Sequence, residues 1–369
     1  MRIALVHPAH MDYRQEIFDK LDDRYDVTFI FTKHGRGQDN VKEKQASIPL
    51  KWKSKILRTR LTFGNRDIGM YLLLMKELLF GKYDLILTST SWHVCWLMSK
   101  LCRNKFILIT EFWYWKNTSF TRKVLNEFTK YIARSSDSIF AMGTKTYQSY
   151  LEFGVSEDKI FAHTQCSVDY SKQTSFDARK KLGLEDKKII LYLGRIVQSK
   201  GLDYLIKAFS QLESNYDNIF LIVIGEGPHR NECEKVIDQL KVKNVMFLGS
   251  SYGNEKASYY KACDIFVLPS IFYNYSYEPW GLVINEAMAF GKPVIATNAV
   301  GASEDLIQNG HNGYVAQEKN IMELYEAMKK ILSDSEVLKL MGENSRIIFE
   351  EKNDYEKMFK ALENAINNS

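Results

Sequence analysis

The chain has few cysteines and no paired ones. Cys95, Cys102, Cys166, Cys233 and Cys263 are five in number, scattered, and never arranged as C-x-x-C. That argues against a zinc site or a disulfide framework. Reduced thiols in a cytoplasmic setting are the simplest expectation. Long apolar runs are also missing. A membrane-spanning helix needs about 18 or more consecutive apolar residues, and the best stretch, Tyr71–Phe80, is broken by Lys76 and Glu77. The opening residues Met1–Pro8 are too soon broken for a signal peptide and read as a first buried strand. Finally, no two aspartates stand two apart, so the D-x-D pattern that carries a divalent ion is lacking.

What is present suits an ordinary globular chain. Of 369 residues, 45% are hydrophobic and 26% charged, enough for two cores and a solvated surface. Two domains are the natural expectation at this length. The net charge of +5 is unevenly placed: residues 1–170 hold 26 lysines and arginines against 18 acidic residues, and residues 171–369 hold 24 against 27. Lys51, Lys53, Lys55, Arg58, Arg60 and Arg66 crowd together with Trp52, Ile56, Leu57, Leu61 and Phe63. Such interleaving suits an anionic membrane surface, and equally a solvated basic loop. No nucleic-acid-binding motif accompanies it.

Short apolar runs alternate with helical stretches along nearly the whole chain. The expected strands are Arg2–His7, Val27–Thr32, Tyr83–Thr88, Lys105–Thr110, Ser138–Met142 and Lys159–His163. A second series follows at Lys188–Leu193, Ile219–Ile224, Val245–Leu248, Ile265–Leu268, Val294–Ala296 and Tyr314–Ala316. This is an α/β pattern: two doubly wound parallel sheets with helices on both faces. The polar stretch Asp169–Gly183 is the expected linker. The expected domains are residues 1–170 and 171–351, with a helix at about 352–369 packing back on the first. Ligands of such sheets bind past the carboxyl ends of the strands, so a cleft between two such edges is the expected site.

Three segments of the second domain place chemistry there. In Leu191-Tyr-Leu-Gly194-Arg195-Ile-Val-Gln-Ser-Lys200-Gly201, two cations follow a strand end within six residues. A guanidinium fork and an ammonium suit a diphosphate, although solvated surface cations would look the same. In Gly225-Glu-Gly227-Pro228, two glycines follow a buried strand and would let a ligand approach the backbone, with Pro228 in the first helical turn. The third glycine of a dinucleotide fingerprint is replaced by Arg230. The strongest segment is Glu278-Pro-Trp-Gly281-Leu-Val-Ile-Asn-Glu286-Ala-Met-Ala-Phe-Gly291-Lys-Pro293. A helix is expected from near Gly281 to Gly291. The N–H groups of Gly281, Leu282 and Val283 would face an anion. Glu286 lies one and a half turns inside an otherwise apolar helix, where a carboxylate requires a partner.

This frame, E-P-W-G-L-V-x-x-E-A-M-A-x-G-x-P-V-I-A, resembles the E-x7-E signature of family 4 retaining glycosyltransferases. Gly194-Arg195 with Lys200-Gly201 resembles that family's diphosphate-binding G-R-x-x-x-x-K-G. Gly225-Glu-Gly-Pro, Val245–Gly249, Leu268-Pro-Ser270 and Val300-Gly-x-x-Glu304 follow in the family's order. The resemblance implies the GT-B fold and transfer of a hexose or N-acetylhexosamine from a nucleotide diphosphate sugar, without a metal or other cofactor. It implies that Arg195 and Lys200 bind the diphosphate, Glu286 holds the ribose and Glu278 faces the transferred sugar. Gly194, Gly225, Gly281, Leu282 and Val283 would line the phosphates, and Val245, Phe247 and Leu248 the base. Arg195, Lys200 and the helix N-terminus would supply the charge that a metal supplies elsewhere.

The first domain reads His7-Pro-Ala-His10-Met-Asp12-Tyr13-Arg14 after its first strand. This resembles a subset of the family acting in bacterial or archaeal surface-polysaccharide assembly. A saccharide or lipid-linked saccharide acceptor is therefore expected, with the protein peripheral on the inner membrane face. Glu111 stands where many members carry a histidine, and would orient or deprotonate the acceptor hydroxyl. His10, Arg14, His93 and Trp113 are acceptor-side candidates. The aromatic group Trp92, Trp113, Tyr114 and Trp115 would stack on a sugar or fill a core. His7, His163 and His311 read as structural. Phe272–Tyr277 would shape the donor-sugar pocket or form an exposed loop. Two other readings stay open: a nucleotide-sugar epimerase of the same architecture, and a non-catalytic nucleotide-binding subunit.

Overall fold

A computed structural model describes residues 1–32, 51–57, 62–63, 66–115, 119–274 and 277–369. The chain divides into two compact units, Met1–His163 with Tyr355–Ser369, and Thr164–Asp354.

Among the described residues the first unit is built on a seven-stranded sheet. Its strands are β1 (Arg2–His7), β2 (Asp26–Phe31), β3 (Ser54–Ile56), β6 (Leu85–Thr88), β7 (Lys105–Thr110), β8 (Ser138–Met142) and β9 (Ile160–His163). The short strands β4 (Thr62–Phe63) and β5 (Arg66–Asp67) form a separate antiparallel pair. The order is β3-β2-β1-β6-β7-β8-β9, and every neighbour pair is parallel. The inner strands β1, β2, β6, β7 and β8 are buried on both faces, which is why they read as continuous apolar runs, whereas the edge strands β3 and β9 are partly exposed. The helix Tyr355–Asn367 packs on β8, β9 and the helix Gln15–Arg24. Arg24 pairs with Glu363 at 3.1 Å, and the Tyr355 hydroxyl donates to the Tyr13 carbonyl at 3.0 Å.

The second unit carries β10 (Lys188–Leu193), β11 (Ile219–Ile224), β12 (Val245–Phe247), β13 (Ile265–Leu268), β14 (Val294–Thr297) and β15 (Gly313–Ala316) in the order β12-β11-β10-β13-β14-β15. Successive side chains of β10 point to opposite faces and enter different cores. Ile189 and Leu191 pack with Phe266, Ile284 and Met288, while Ile190 and Tyr192 pack with Leu205, Phe209 and Met328. The polar stretch 169–183 belongs to this unit, and it forms a short turn at Tyr170–Lys172 and a helix at Ala178–Leu182.

The expected doubly wound sheets are present in both units. Each has one strand where the winding direction reverses: β1, flanked by β2 and β6, and β10, flanked by β11 and β13. Loops leaving opposite sides of such a strand splay apart and leave a crevice at the carboxyl edge. The sites below lie at those two edges.

Candidate active site

In the second unit, β10 pairs with β13 through Ile190 with Ile265 and Leu191 with Phe266, so the loops after them emerge side by side. The loop after β10 is fixed from both flanks. Toward β11, the Gly194 amide donates to the Ile224 carbonyl at 3.0 Å and the Ile196 amide to the Glu226 carbonyl at 2.9 Å. A Cβ at Gly225 or Gly227 would collide with the carbonyl oxygen of Gly194 or Ile196. These glycines thus admit the neighbouring loop. Pro228 lies in the turn before the helix Arg230–Leu240 rather than in its first turn. Toward β13, the Ile271 amide donates to the Ser199 carbonyl at 2.9 Å. Gly201 holds φ +62°, and a Cβ there would meet the Pro269 carbonyl oxygen. Lys200 is thus clamped between two strand ends, while Arg195 is exposed on the same loop.

Lys200 forms an ion pair with Glu278, with side-chain exposures of 16% and 14%. The Ser270 hydroxyl reaches the same carboxylate at 3.5 Å. The segment around Glu278 is held by the loop after β14: the Gly301 amide donates to the Glu278 carbonyl at 3.0 Å and the Ala302 amide to the Trp280 carbonyl at 2.9 Å. The helix Leu282–Ala289 then starts from Gly281, whose φ of +101° is open to glycine and strained for other residues. Among the described residues, the amides of Gly281, Leu282 and Val283 have no hydrogen-bond acceptor. Three such N–H groups at a helix start favour an anion.

Glu286 is buried, as expected, and its partners are now visible. Oε1 accepts from the Lys256 ammonium at 2.8 Å and Oε2 from the Tyr260 hydroxyl at 2.8 Å. Lys256 also lies 3.9 Å from the centre of the Tyr170 ring. Burial works against the Lys256 charge, but Glu286 outweighs it, and the pKa lies above the ordinary lysine value. Burial, with Glu286 beside it, drives the Tyr260 phenol well above its usual pKa. Lys256, Tyr260 and Tyr170 are the residues that sequence reasoning missed. The available signal was a lysine and a tyrosine one helical turn apart, preceding a carboxylate that had to be paired.

Val245, Phe247 and Leu248 are half-buried at the end of β12. The Arg230 guanidinium lies 5.0 Å from the Phe247 ring and pairs with Glu226 at 3.2 Å and Glu234 at 2.8 Å.

At the first unit's edge, Arg14 is buried. Its guanidinium sits 5.1 Å from the Tyr13 ring and donates to the Met142 sulfur at 3.9 Å. Burial raises the Tyr13 pKa, with Arg14 opposing and Glu111 adding, so both charges act on one phenol. Glu111 follows β7 directly. His7 is structural: burial, then Arg14, takes its pKa down to about 3, and its Nδ1 contacts the Ala9 carbonyl at 2.7 Å. His10 packs 5.2 Å from the Trp52 ring, and burial lowers its pKa. His93 stacks on Phe128 at 5.3 Å. Trp113 lies 4.6 Å from the Lys145 ammonium. Trp92 and Trp115 join the core under the sheet.

Part of the basic run is tied down. Trp52 is buried against Phe18 and Phe29. Lys51 pairs with Asp19 at 2.9 Å, Lys53 with Asp26 at 3.2 Å and Lys55 with Glu77 at 2.7 Å. Arg58, Arg60 and Leu61 lie outside the described residues, as do Tyr275 and Ser276 of the donor-pocket loop. Among the described residues, no helix is long and apolar enough to cross a membrane. None of them group three or more His, Cys, Asp or Glu as metal ligands.

Residues 174–347 match the family described as Glycosyl transferases group 1. An uncharacterized glycosyltransferase of Methanocaldococcus jannaschii is 32% identical over 190 residues, which are 49% of this chain and 47% of that protein. The capsular polysaccharide biosynthesis glycosyltransferase CapM of Staphylococcus aureus is 29% identical over 184 residues, 50% of this chain and 47% of that one. The chain thus spans about half the length of the curated relatives it matches. The crystal structure of HepE from Anabaena in complex with UDP and glucose superposes with a TM-score of 0.79 at 18% identity, covering 100% of this chain and 99% of that one. The chain has the GT-B fold, and residues 174–347 of its second unit are similar to glycosyl transferases group 1.

Proposed function

We propose that the chain transfers a hexose or N-acetylhexosamine from a nucleotide diphosphate sugar to a saccharide or lipid-linked saccharide, with retention of configuration and without a metal ion. The observation that carries this reading is the convergence at one strand crossover of Arg195, the Lys200–Glu278 pair and the open N–H groups at Gly281, with Glu286 set back along the same helix. In this reading Arg195, Lys200 and those amides neutralise the diphosphate as the bond to the sugar breaks. Preorganised charge of that kind is commonly the largest catalytic contribution. Glu278 faces the transferred sugar, and Glu286, oriented by Lys256 and Tyr260, accepts from the ribose diol. Val245, Phe247 and Leu248 lie by the base, with Gly194 and Gly225 in the loops beneath. Glu111 acts on the acceptor hydroxyl from the first unit, with His10, Arg14, His93 and Trp113 as acceptor-side candidates. The similarity to a capsular polysaccharide biosynthesis glycosyltransferase supports a saccharide acceptor.

Replacement Glu286→Ala tests the donor assignment. Calorimetry with nucleoside diphosphate sugars should show weakened binding and assays no turnover, with circular dichroism reporting a retained fold. Normal donor affinity in that variant would remove the ribose assignment. Release of free epimerised donor, in the absence of any acceptor, would favour an epimerase.

A further inference from the structure

The helices Ile68–Phe80, Trp92–Cys102 and Phe120–Arg134 lie side by side in the first unit. Their inner faces close the core through Leu74, Leu78, Trp92, Met98 and Ile132. Solvent-facing sides of surface helices are ordinarily polar. Here they are apolar as well. Leu72 is 55% exposed, Phe80 70%, Leu101 64%, Phe120 82% and Val124 52%.

The exposed residues form stripes. On the first helix positions 68, 72, 73, 76, 79 and 80 are exposed, and only Lys76 among them is polar. On the second, Leu97 and Leu101 are one turn apart, with Lys100 beside them. On the third, Phe120, Val124, Phe128 and Tyr131 repeat at helical spacing. The second and third stripes touch: Phe128 stacks on His93 at 5.3 Å, and Phe128 and Tyr131 each meet the Trp96 ring at 5.7 Å. An apolar face shared by several elements marks a docking surface.

Charge selects the partner. Residues 68–82, 92–103 and 120–134 hold eight lysines and arginines against two glutamates. Both glutamates are engaged, Glu77 by Lys55 and Tyr83 and Glu127 by Lys130. A second copy of the chain would bring this positive face against itself, which like-charge repulsion disfavours. We propose that the three-helix face docks on an anionic lipid bilayer. The exposed leucines and phenylalanines enter the boundary between headgroups and acyl chains, and the lysines and arginines meet the anionic headgroups. The segment 51–57, whose three lysines are paired with carboxylates and whose tryptophan is buried, contributes little. This proposal goes beyond the glycosyl-transfer reading and does not rest on it.

The test is flotation of the full chain with phosphatidylcholine vesicles, with and without phosphatidylglycerol. Wild-type protein should float with the anionic vesicles and less so at high salt. A variant carrying Leu72→Glu, Phe80→Glu, Phe120→Glu and Val124→Glu should lose at least ~10-fold in partitioning, with unchanged melting temperature. The milder pair Lys76→Glu and Lys123→Glu should weaken binding and flatten its salt dependence. Reversing Lys51, Lys53 and Lys55 should change it little. The proposal is overturned if wild-type protein does not bind, if both variants bind as wild type, or if wild type is a dimer that the four-site variant splits. Nucleoside diphosphate affinity, measured in parallel, reports on the donor site alone.

Discussion

The two sheets share one winding rule but present different edges. At the β10 edge, charge is paired and partly covered: Lys200 with Glu278, Lys256 with Glu286, and three open amides between them. At the β1 edge a buried guanidinium, a neutral histidine and a phenol gather, with Glu111 beside them. A diphosphate imposes a fixed demand for cations and N–H groups, and in the proposed function the second unit meets it with residues at recognisable spacings. An acceptor hydroxyl imposes no comparable demand, and the first unit's edge, to which the proposal assigns it, is idiosyncratic.

The largest expected effect breaks the comparison at its charged end. Lys200→Ala should lower kcat by about 100–1000-fold, as removal of a preorganised charge at a developing anion does. A steady-state assay checks this, and equal loss from Arg14→Ala would mean that the two edges are not specialised as described. Next is the buried pair. Lys256→Met leaves the Glu286 carboxylate with Tyr260 alone, and should cost about 3 kcal/mol of stability in urea unfolding, as breaking a buried pair does. Adding Glu286→Gln should return most of that stability while leaving donor binding impaired, separating fold from function.

The third prediction concerns the first unit. The folded-state pKa of His7 is lowered from 6.5 to about 3. Below the ordinary histidine value the unfolded chain therefore binds a proton that the folded chain refuses. Stability from His7 is complete above pH 6.5 and declines as pH falls toward about 3. Between pH 7 and pH 5 the loss should be about 2 kcal/mol. His7→Gln should show a smaller loss over that range; an identical pH profile would contradict the burial argument. The smallest effect expected is none: excess chelator should leave turnover intact, and loss restored by magnesium or manganese would overturn the metal-free reading.

Much of this was legible in the sequence because buried parallel strands advertise themselves. Ile189–Leu193 and Ile219–Ile224 are apolar runs bounded by polar residues, and the structure places the strands Lys188–Leu193 and Ile219–Ile224 as read. The E-x7-E frame was visible because a carboxylate within an apolar helix is costly without a partner. The identity of that partner was not visible. Lys256 lies 30 residues from Glu286, on a different helix, and only tertiary packing joins them. The strand Ser54–Ile56 was hidden because three residues on a sheet edge carry no apolar run, and the lysines at 51, 53 and 55 invited a surface reading. The packing of the glycines at 225 and 227 against a neighbouring loop was not legible, because close approach looks alike in sequence whether the visitor is a phosphate or a loop.

The most direct measurement is a crystal structure of the chain soaked with a nucleoside diphosphate. The diphosphate should lie beside Arg195 and Lys200, over the amides of Gly281, Leu282 and Val283, with the ribose at Glu286. A diphosphate bound at the β1 edge, or anywhere away from those side chains, would contradict the assignment of the second unit as the donor site.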